Sequence, residues 1–278
     1  MIHITDQKFD EERALYGING AKICSCSFEG DADGESALKE ASNLEIENCM
    51  FKLRYPLWHV TDAKIKDCHM TDTCRAAMWY DKNMSIKDSS LGGIKALREC
   101  EDITVENTKI SSTEFGWFCK SLSFKNCSML SEYPFLKSKN MEFSHFELNG
   151  KYSFQYTENV VIRNCVLNTK DAFWHSRNVT VYDSVITGEY LGWYCDSLKL
   201  VRCKVIGTQP LCYADNLVLE DCEMTNCDLA FENSDVNASI KGFVDSIKNP
   251  RSGCIKADGV GEIISDNPEF DCIITINE

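Results

Sequence analysis

Apolar and polar residues alternate along this chain in short bursts that recur over most of its length. One burst reads NVVIRNC (Asn159–Cys165), and near-copies read NLEIENC (Asn43–Cys49), NVTVYDS (Asn178–Ser184) and NLVLEDC (Asn216–Cys222). Anchored on the middle apolar residue, the series is Ile46, Ile65, Ile86, Val105, Phe124, Phe143, Ile162, Val181, Leu200 and Leu219. Eight of its nine intervals are 19 residues and one is 21. Ile23 fits 23 residues upstream, across the polar turn-rich loop Gly30–Glu35, and Ile240 fits 21 downstream.

Numbered from each anchor, positions −2 and 0 are apolar, while −1 and +1 are mixed and often charged, as in Glu45 and Glu47 or Lys64 and Lys66. That period of two predicts a half-buried strand. A second apolar column stands at +5 (Phe51, Met70, Leu91, Ile110, Met129, Leu148, Leu167, Ile186, Val205, Met224). A third stands at −8 (Leu57, Met78, Leu97, Phe135, Phe154, Phe173, Leu211), interrupted by Gly116 and Gly192. Asn, Asp and Ser dominate the bends at −3 and +2, where they tolerate turn conformations and bond to nearby backbone. Three short strands in ~19 residues leave no room for a helix, and the leucine-rich repeat signature is absent. The expected fold is therefore all-β: a single-stranded parallel β-helix, a solenoid of about eleven coils with neighbours about 4.8 Å apart.

These repeats, with their asparagine ladders and stacked interior columns, resemble the pectin-lyase-like right-handed parallel β-helix superfamily. More closely they resemble an uncharacterised bacterial family known as domain of unknown function 3737. The resemblance implies a right-handed coil and a bacterial source, and it carries over no catalytic residue. A single domain is expected over 1–278, with 1–20 an N-terminal cap, 21–243 the coils, and 244–278 irregular C-terminal coils and cap. Within the first segment, Phe9–Gly17 is expected to form a short turn of helix or a capping segment.

Composition narrows the function classes. The formal net charge is −14, from 29 Lys+Arg against 43 Asp+Glu. Such a surface argues against nucleic acid and anionic membranes as partners. Residues Met1–Asp10 hold no basic leader followed by an apolar run, and no stretch approaches the ~20 apolar residues of a membrane helix. A reducing cytoplasmic location is expected, and with it free thiols for the sixteen cysteines. Seven of these share position +3 (Cys26, Cys49, Cys68, Cys127, Cys165, Cys203, Cys222), alternating with Ser89, Thr108 and Ser184. A column of small inward residues does not converge on one point as metal ligands must, so no metal and no cofactor is expected.

All five tryptophans, Trp58, Trp79, Trp117, Trp174 and Trp193, lie at −7, and Arg98, Leu136, Gln155 and Cys212 share that register. Position −6 holds His59, Tyr80, Glu99, Phe118, Lys137, Tyr156, His175, Tyr194 and Tyr213. One corner of every coil thus carries an aromatic pair or a polar substitute. Two roles fit. The corner is a strip for a glycan, small ligand or protein partner, with Arg98, Glu99, Lys137, Gln155 and Tyr156 supplying polar contacts; or it is stacking that thickens the core. The sequence leaves open which of −8, −7 and −6 faces solvent, and also the oligomeric state.

No catalytic residue is assigned. Paired acids must lie within about 5–10 Å to act on a glycosidic bond, whereas the outward columns alternate in sign. His59 and His175 are six coils apart, roughly 29 Å at the strand spacing. Asp171 with His175, and Glu114 with Phe118 and Arg98, form local clusters without a motif. Phosphate loops, nucleophile elbows and HExxH are absent. The expected function is a non-catalytic binding solenoid; the alternative is a divergent glycan-active enzyme of lyase or hydrolase type.

Overall fold

The structure, a computed structural model, describes residues 1–30 and 35–277. Most of the expected Gly30–Glu35 loop lies outside them. The chain is an all-β parallel solenoid of about 14 turns, with no helix among the described residues. It comprises two compact units, Met1–Glu142 and Phe143–Glu278.

In the first unit the anchors pair in register, coil upon coil: Ile4 with Ile23, Ile23 with Ile46, Ile46 with Ile65, Ile65 with Ile86, and onward through Val105 to Phe124. The register therefore starts at Ile4, and Met1–Gly20 is a coil in its own right. Its strands Ile2–Thr5 and Lys8–Phe9 pair in parallel with Asn19–Cys24 and Ser27–Phe28. The expected turn of helix does not form, because Arg13, Leu15 and Gly17 give their amides to Glu35, Ala37 and Lys39 of the next coil. Lacking a polar bend residue before its strand, this coil escaped the repeat pattern.

In the second unit Ile162, Val181, Leu200 and Leu219 pair successively, and Leu219 continues to Ala238. Ile240 is thus not the anchor of its coil. A register shift follows Leu219, and Ile240 sits opposite Cys222. Beyond it, the strands Asp235–Lys248, Ser252–Ile264 and Ile273–Ile276 stack in parallel as ordered coils rather than an irregular cap. These added coils at both ends raise the turn count above eleven.

Every residue of the −2, 0 and +5 columns from Leu44 to Met224 is buried, as are the apolar residues at −8. Aromatic rings stack coil to coil inside, Phe9 on Phe28 at 5.2 Å and Phe28 on Phe51 at 4.8 Å in the first unit, Phe154 on Phe173 at 5.1 Å in the second. The interruptions at −8 have a backbone cause. Gly116 has φ +70°, and a Cβ there would meet the Phe135 ring at 2.7 Å, so Phe115, buried one residue earlier, fills the space.

The corners are made by residues in the left-handed region. Positions −3 and +2 of every coil from Asn43 to Asp221 have φ between 49° and 59°, and Asn, Asp and Ser predominate there because their short polar side chains lower the steric cost. Their side chains also bond along the stack: Asn43 donates to Asn19 at 2.8 Å, Asn126 to Asn107 at 3.2 Å and Asn178 to Asn159 at 2.7 Å.

The residue after the +2 bend aims its amide into the core, where no backbone carbonyl meets it. The thiol column answers this need. Cys26 donates its amide to the Cys49 sulfur at 3.4 Å, Cys49 to that of Cys68 at 3.4 Å, and Cys68 to the Ser89 hydroxyl at 3.1 Å. In the second unit Phe146 donates to Cys165 at 3.4 Å and Cys165 to Ser184 at 3.0 Å. Each acceptor in turn donates to the carbonyl two residues back, as Cys49 does to Glu47 and Ser89 to Lys87. The same device recurs in part of the −5 column, where the Cys100 amide donates to Cys119, that of Cys119 to Ser138 and that of Ala214 to Ser234, whereas the Ser138, Ser176 and Cys195 amides donate to backbone carbonyls. Burial pushes the Cys74, Cys195, Cys212 and Cys227 thiols up to about 12, which keeps them protonated and unreactive.

Asp81 fills one rung of the −5 column. It is fully buried, its Oδ1 accepts the Val60 amide at 2.9 Å, and its Oδ2 has no partner. Burial raises its carboxyl well above the usual range, the Cys100 thiol adds to this, and the Val60 amide opposes it.

Two outcomes follow from the columns. Cys165→Ser keeps an acceptor for the Phe146 amide and shifts stability by no more than about 1 kcal/mol, whereas Cys165→Val orphans that amide and costs about 1–3 kcal/mol. Equal urea midpoints for the two variants would contradict the acceptor role. For Asp81, a raised folded-state pKa contributes stability that is fully present below the unfolded value of about 3.9 and is lost as pH rises toward the folded value. Asp81→Asn keeps the Val60 acceptor without titrating. It should melt with wild type at the acid end and above it by a margin that widens toward neutrality; a margin independent of pH would overturn the assignment.

Candidate functional site

The aromatic corner is built by three successive residues with three different exposures. Position −8 points into the core, −7 is half-buried, and −6 projects outward. The outward column is left-handed throughout, with φ between 51° and 62° from His59 to Tyr213. Such a conformation costs a bulky residue on the order of 1–3 kcal/mol, and Asn would adopt it more cheaply.

The tryptophans are fastened to the scaffold. Trp58, Trp117, Trp174 and Trp193 donate their indole N–H to the carbonyls of Ala76, Tyr133, Tyr190 and Gln209, each on the next coil, at 2.5–2.8 Å. Trp79 donates instead to Glu99 Oε1 at 3.2 Å. Their faces are also occupied. In the first unit Trp58 meets Trp79 edge-on at 5.3 Å, and the Arg98 guanidinium lies 4.9 Å from the Trp79 ring, 5.0 Å from that of Trp117 and 5.4 Å from that of Phe118. Arg98 thus replaces an indole in the stack, held by the negative ring faces, and Glu99 stands 3.8 Å from it. In the second unit Trp174 stacks on Trp193 at 5.5 Å with planes 5° apart, and Tyr190 and Tyr213 close on Trp193 at 5.2 and 5.3 Å.

The −6 column forms its own outer stack. In the first unit His59 lies on Tyr80 at 4.8 Å; Glu99, Phe118 and Lys137 follow, the Lys137 ammonium 6.0 Å from the Phe118 ring. In the second unit the stack is continuous. Tyr156, His175, Tyr194 and Tyr213 are spaced 4.9, 5.0 and 5.1 Å apart, with interplanar angles of 14°, 9° and 16°. Gln155 stands behind Tyr156, its amide 3.4 Å from the Asp171 carbonyl. Because each ring covers the face of the next, this ladder offers solvent its ring edges, with phenol and imidazole polar atoms, and not its faces. A sugar cannot stack flat along it. Tyr213, at the end of the ladder, belongs with the candidate residues, as its 19-residue spacing from Tyr194 indicated.

Of the two local clusters conceivable from the sequence, Asp171 with His175 does not assemble, and only the Arg98–Phe118 part of the other does, at 5.4 Å. Asp171 is buried and its carboxyl is raised by burial, while His175 is exposed, and no hydrogen bond joins them among the described residues. Glu114 pairs with Lys95 at 3.3 Å instead of with Arg98. Two outward carboxylates of the first unit are each held by two lysines. Glu101 lies 2.6 Å from Lys120 and 3.6 Å from Lys82, and Glu106 lies 2.9 Å from Lys87 and 3.7 Å from Lys125; hydrogen bonds from Lys120 and Lys87 lower the two carboxyls. Among the described residues no three His, Cys, Asp or Glu side chains group as metal ligands. An open groove of about 350 Å³ lies on another face of the first unit, along the bend residues Asn43, Asp62, Asn83 and Asp102, with Lys64 beside it.

If the tryptophans serve the scaffold, Trp174→Phe should cost about 1 kcal/mol through the lost bond to the Tyr190 carbonyl, with no partner present. An unchanged denaturant midpoint would contradict that role.

Comparison with known proteins places the chain. No curated protein matches it. Among solved structures it is similar to PfbA, a surface adhesin of Streptococcus pneumoniae, at 10% identity and a TM-score of 0.35, over 80% of this chain and 71% of that one. It is also similar to the A-module of the Azotobacter vinelandii mannuronan C-5 epimerase AlgE4, at 10% identity and 0.31, over 95% and 90%. The catalytic domain of a GH87 alpha-1,3-glucanase matches at 8% identity and 0.35, over 100% and 64%. The sequence itself matches one family model across residues 2–277, and the chain therefore belongs to the family described as protein of unknown function DUF3737.

Proposed function

We propose that this protein is a non-catalytic recognition solenoid that engages an extended partner, a glycan or a protein surface, along its aromatic corner. The observation that carries this is the outer ladder Tyr156–His175–Tyr194–Tyr213, a continuous stack of four rings outside the core, where burial of apolar surface does not call for them. Buried rings such as Phe154 and Phe173 share their left-handed conformation and are held by the core, whereas the ladder rings stand at the surface. Tyr156 and Tyr194 remain 48% and 46% exposed, so their ring edges are available for contact. Tyrosine supplies large contact area and a polar tip at low cost in side-chain entropy.

Half-buried Trp174 and Trp193 support the ladder from behind and hold it rigid. The polar segment around Arg98, Glu99 and Lys137 is a different surface, because the guanidinium there is consumed by ring faces and by Glu99. For the glycan-active alternative, Glu101 and Glu106 are poor candidates, because each is tied to lysines that lower its carboxyl and make it a poor proton donor.

The test is a binding screen of oligosaccharides and candidate proteins, read by calorimetry, with wild type and Tyr194→Ala in parallel. Association should weaken at least tenfold in the variant, about 1.4 kcal/mol, while its circular dichroism is retained. Turnover of any oligosaccharide that survives Tyr194→Ala would overturn the proposal, as would a screen in which no association depends on Tyr194.

A further inference from the structure

The spacing of the outer ladder restricts what can meet it rung for rung. Its rings repeat at 4.9, 5.0 and 5.1 Å. An extended peptide presents side chains on one face about 6.7 Å apart, twice the rise per residue. A polyproline helix repeats about every 9.3 Å, and an α-helix about every 5.4 Å with its side chains staggered around a cylinder. None of these keeps a straight row in step with four rungs. Stacked β coils do, since they repeat at about 4.7–4.9 Å. A second copy of this chain carries the same spacing and the same drift.

The order of the ladder is also self-complementary. A two-fold axis midway between His175 and Tyr194, perpendicular to the stack, sets His175 opposite Tyr194 of the other copy, twice by symmetry, and Tyr156 opposite Tyr213. Imidazole and phenol supply matching donors and acceptors in each central pair. Such an isologous contact closes on itself without open-ended growth. Charge favours this face as well. Two chains of net charge −14 repel, yet the ladder contains no Asp, Glu, Lys or Arg. Its counterpart in the first unit is interrupted by the charged residues Glu99 and Lys137.

Building on the recognition role proposed above, we infer that the partner of the Tyr156–Tyr213 ladder is a second copy of this chain, docked antiparallel with His175 facing Tyr194.

Sedimentation velocity of the full chain tests this. Wild type should sediment at twice the monomer mass, and Tyr194→Arg, which sets a charge at the centre of the contact, should be a monomer with an unchanged circular dichroism spectrum. Register is read separately. His175→Cys and Tyr194→Cys, mixed under mild oxidation, should cross-link above the wild-type background, and each alone should not. A wild-type monomer at the highest soluble concentration, a dimer that survives Tyr194→Arg, or a cross-link formed by either cysteine variant alone overturns the inference. A monomer that binds a glycan through Tyr194 also overturns it and leaves the recognition role standing. A monomer with no Tyr194-dependent association removes both.

Discussion

The amide that follows the left-handed bend at +2 is the constraint on which this solenoid depends. A coil of about 19 residues can close only by turning sharply several times, and the turn at +2 rotates one N–H away from the strand ladder and into the core. A buried amide without an acceptor costs about 1–3 kcal/mol, and the cost would recur in every coil. The acceptor must be small enough to stack at about 4.8 Å and able to pass a hydrogen onward to a carbonyl. Cysteine, serine and threonine meet both conditions, which accounts for their exchange at ten of the eleven +3 positions from Cys26 to Cys222, the exception being the buried Phe146. The abundance of cysteine follows from backbone chemistry, with no metal or disulfide required. Asp81 marks the limit of the rule: it provides the acceptor, but its second oxygen is left over.

The sequence disclosed much of this, and its failures are informative. Columns at −2, 0 and +5 were legible because burial repeats with the backbone period, and each apolar residue from Leu44 to Met224 in those columns is buried. Cross-coil ion pairing was legible for the same reason, in the alternating signs of Glu47, Lys66, Lys87 and Glu106. The coil at Met1–Gly20 was hidden because its strand lacks the polar bend that marked the others. The coils after Asp235 were hidden because longer strands and a register shift replace the short repeat. In each case the apolar pattern persisted while the corner chemistry changed.

The aromatic corner was legible as a position and illegible as a geometry. Spacing alone put all five tryptophans at one station of the coil. Which of three adjacent residues faces solvent depends on the left-handed turn at −6, and Tyr or His at that position gives no hint of such a backbone. Ring orientation is a further step removed, since it is set between coils. Stacking consumes the faces of Trp174, His175 and Tyr194 alike, so the flat platform implied by a run of aromatic residues is replaced by a row of ring edges.

That replacement changes what the surface can recognise. Aromatic faces attract cations and the apolar sides of sugars, and they do so largely without regard to spacing along the partner. Ring edges that carry a hydroxyl or an imidazole nitrogen make directed hydrogen bonds, and directed bonds at a fixed interval select partners by their own repeat. The corner keeps its rings in a conformation that bulky side chains adopt only at a cost, and the stack with its tryptophan backing offsets it. A rigid ladder of this kind loses little side-chain freedom on contact, so a modest number of edge contacts can suffice for association. The scaffold that spends its sulfur on buried amides thus presents, half a coil away, a surface whose selectivity lies in its spacing.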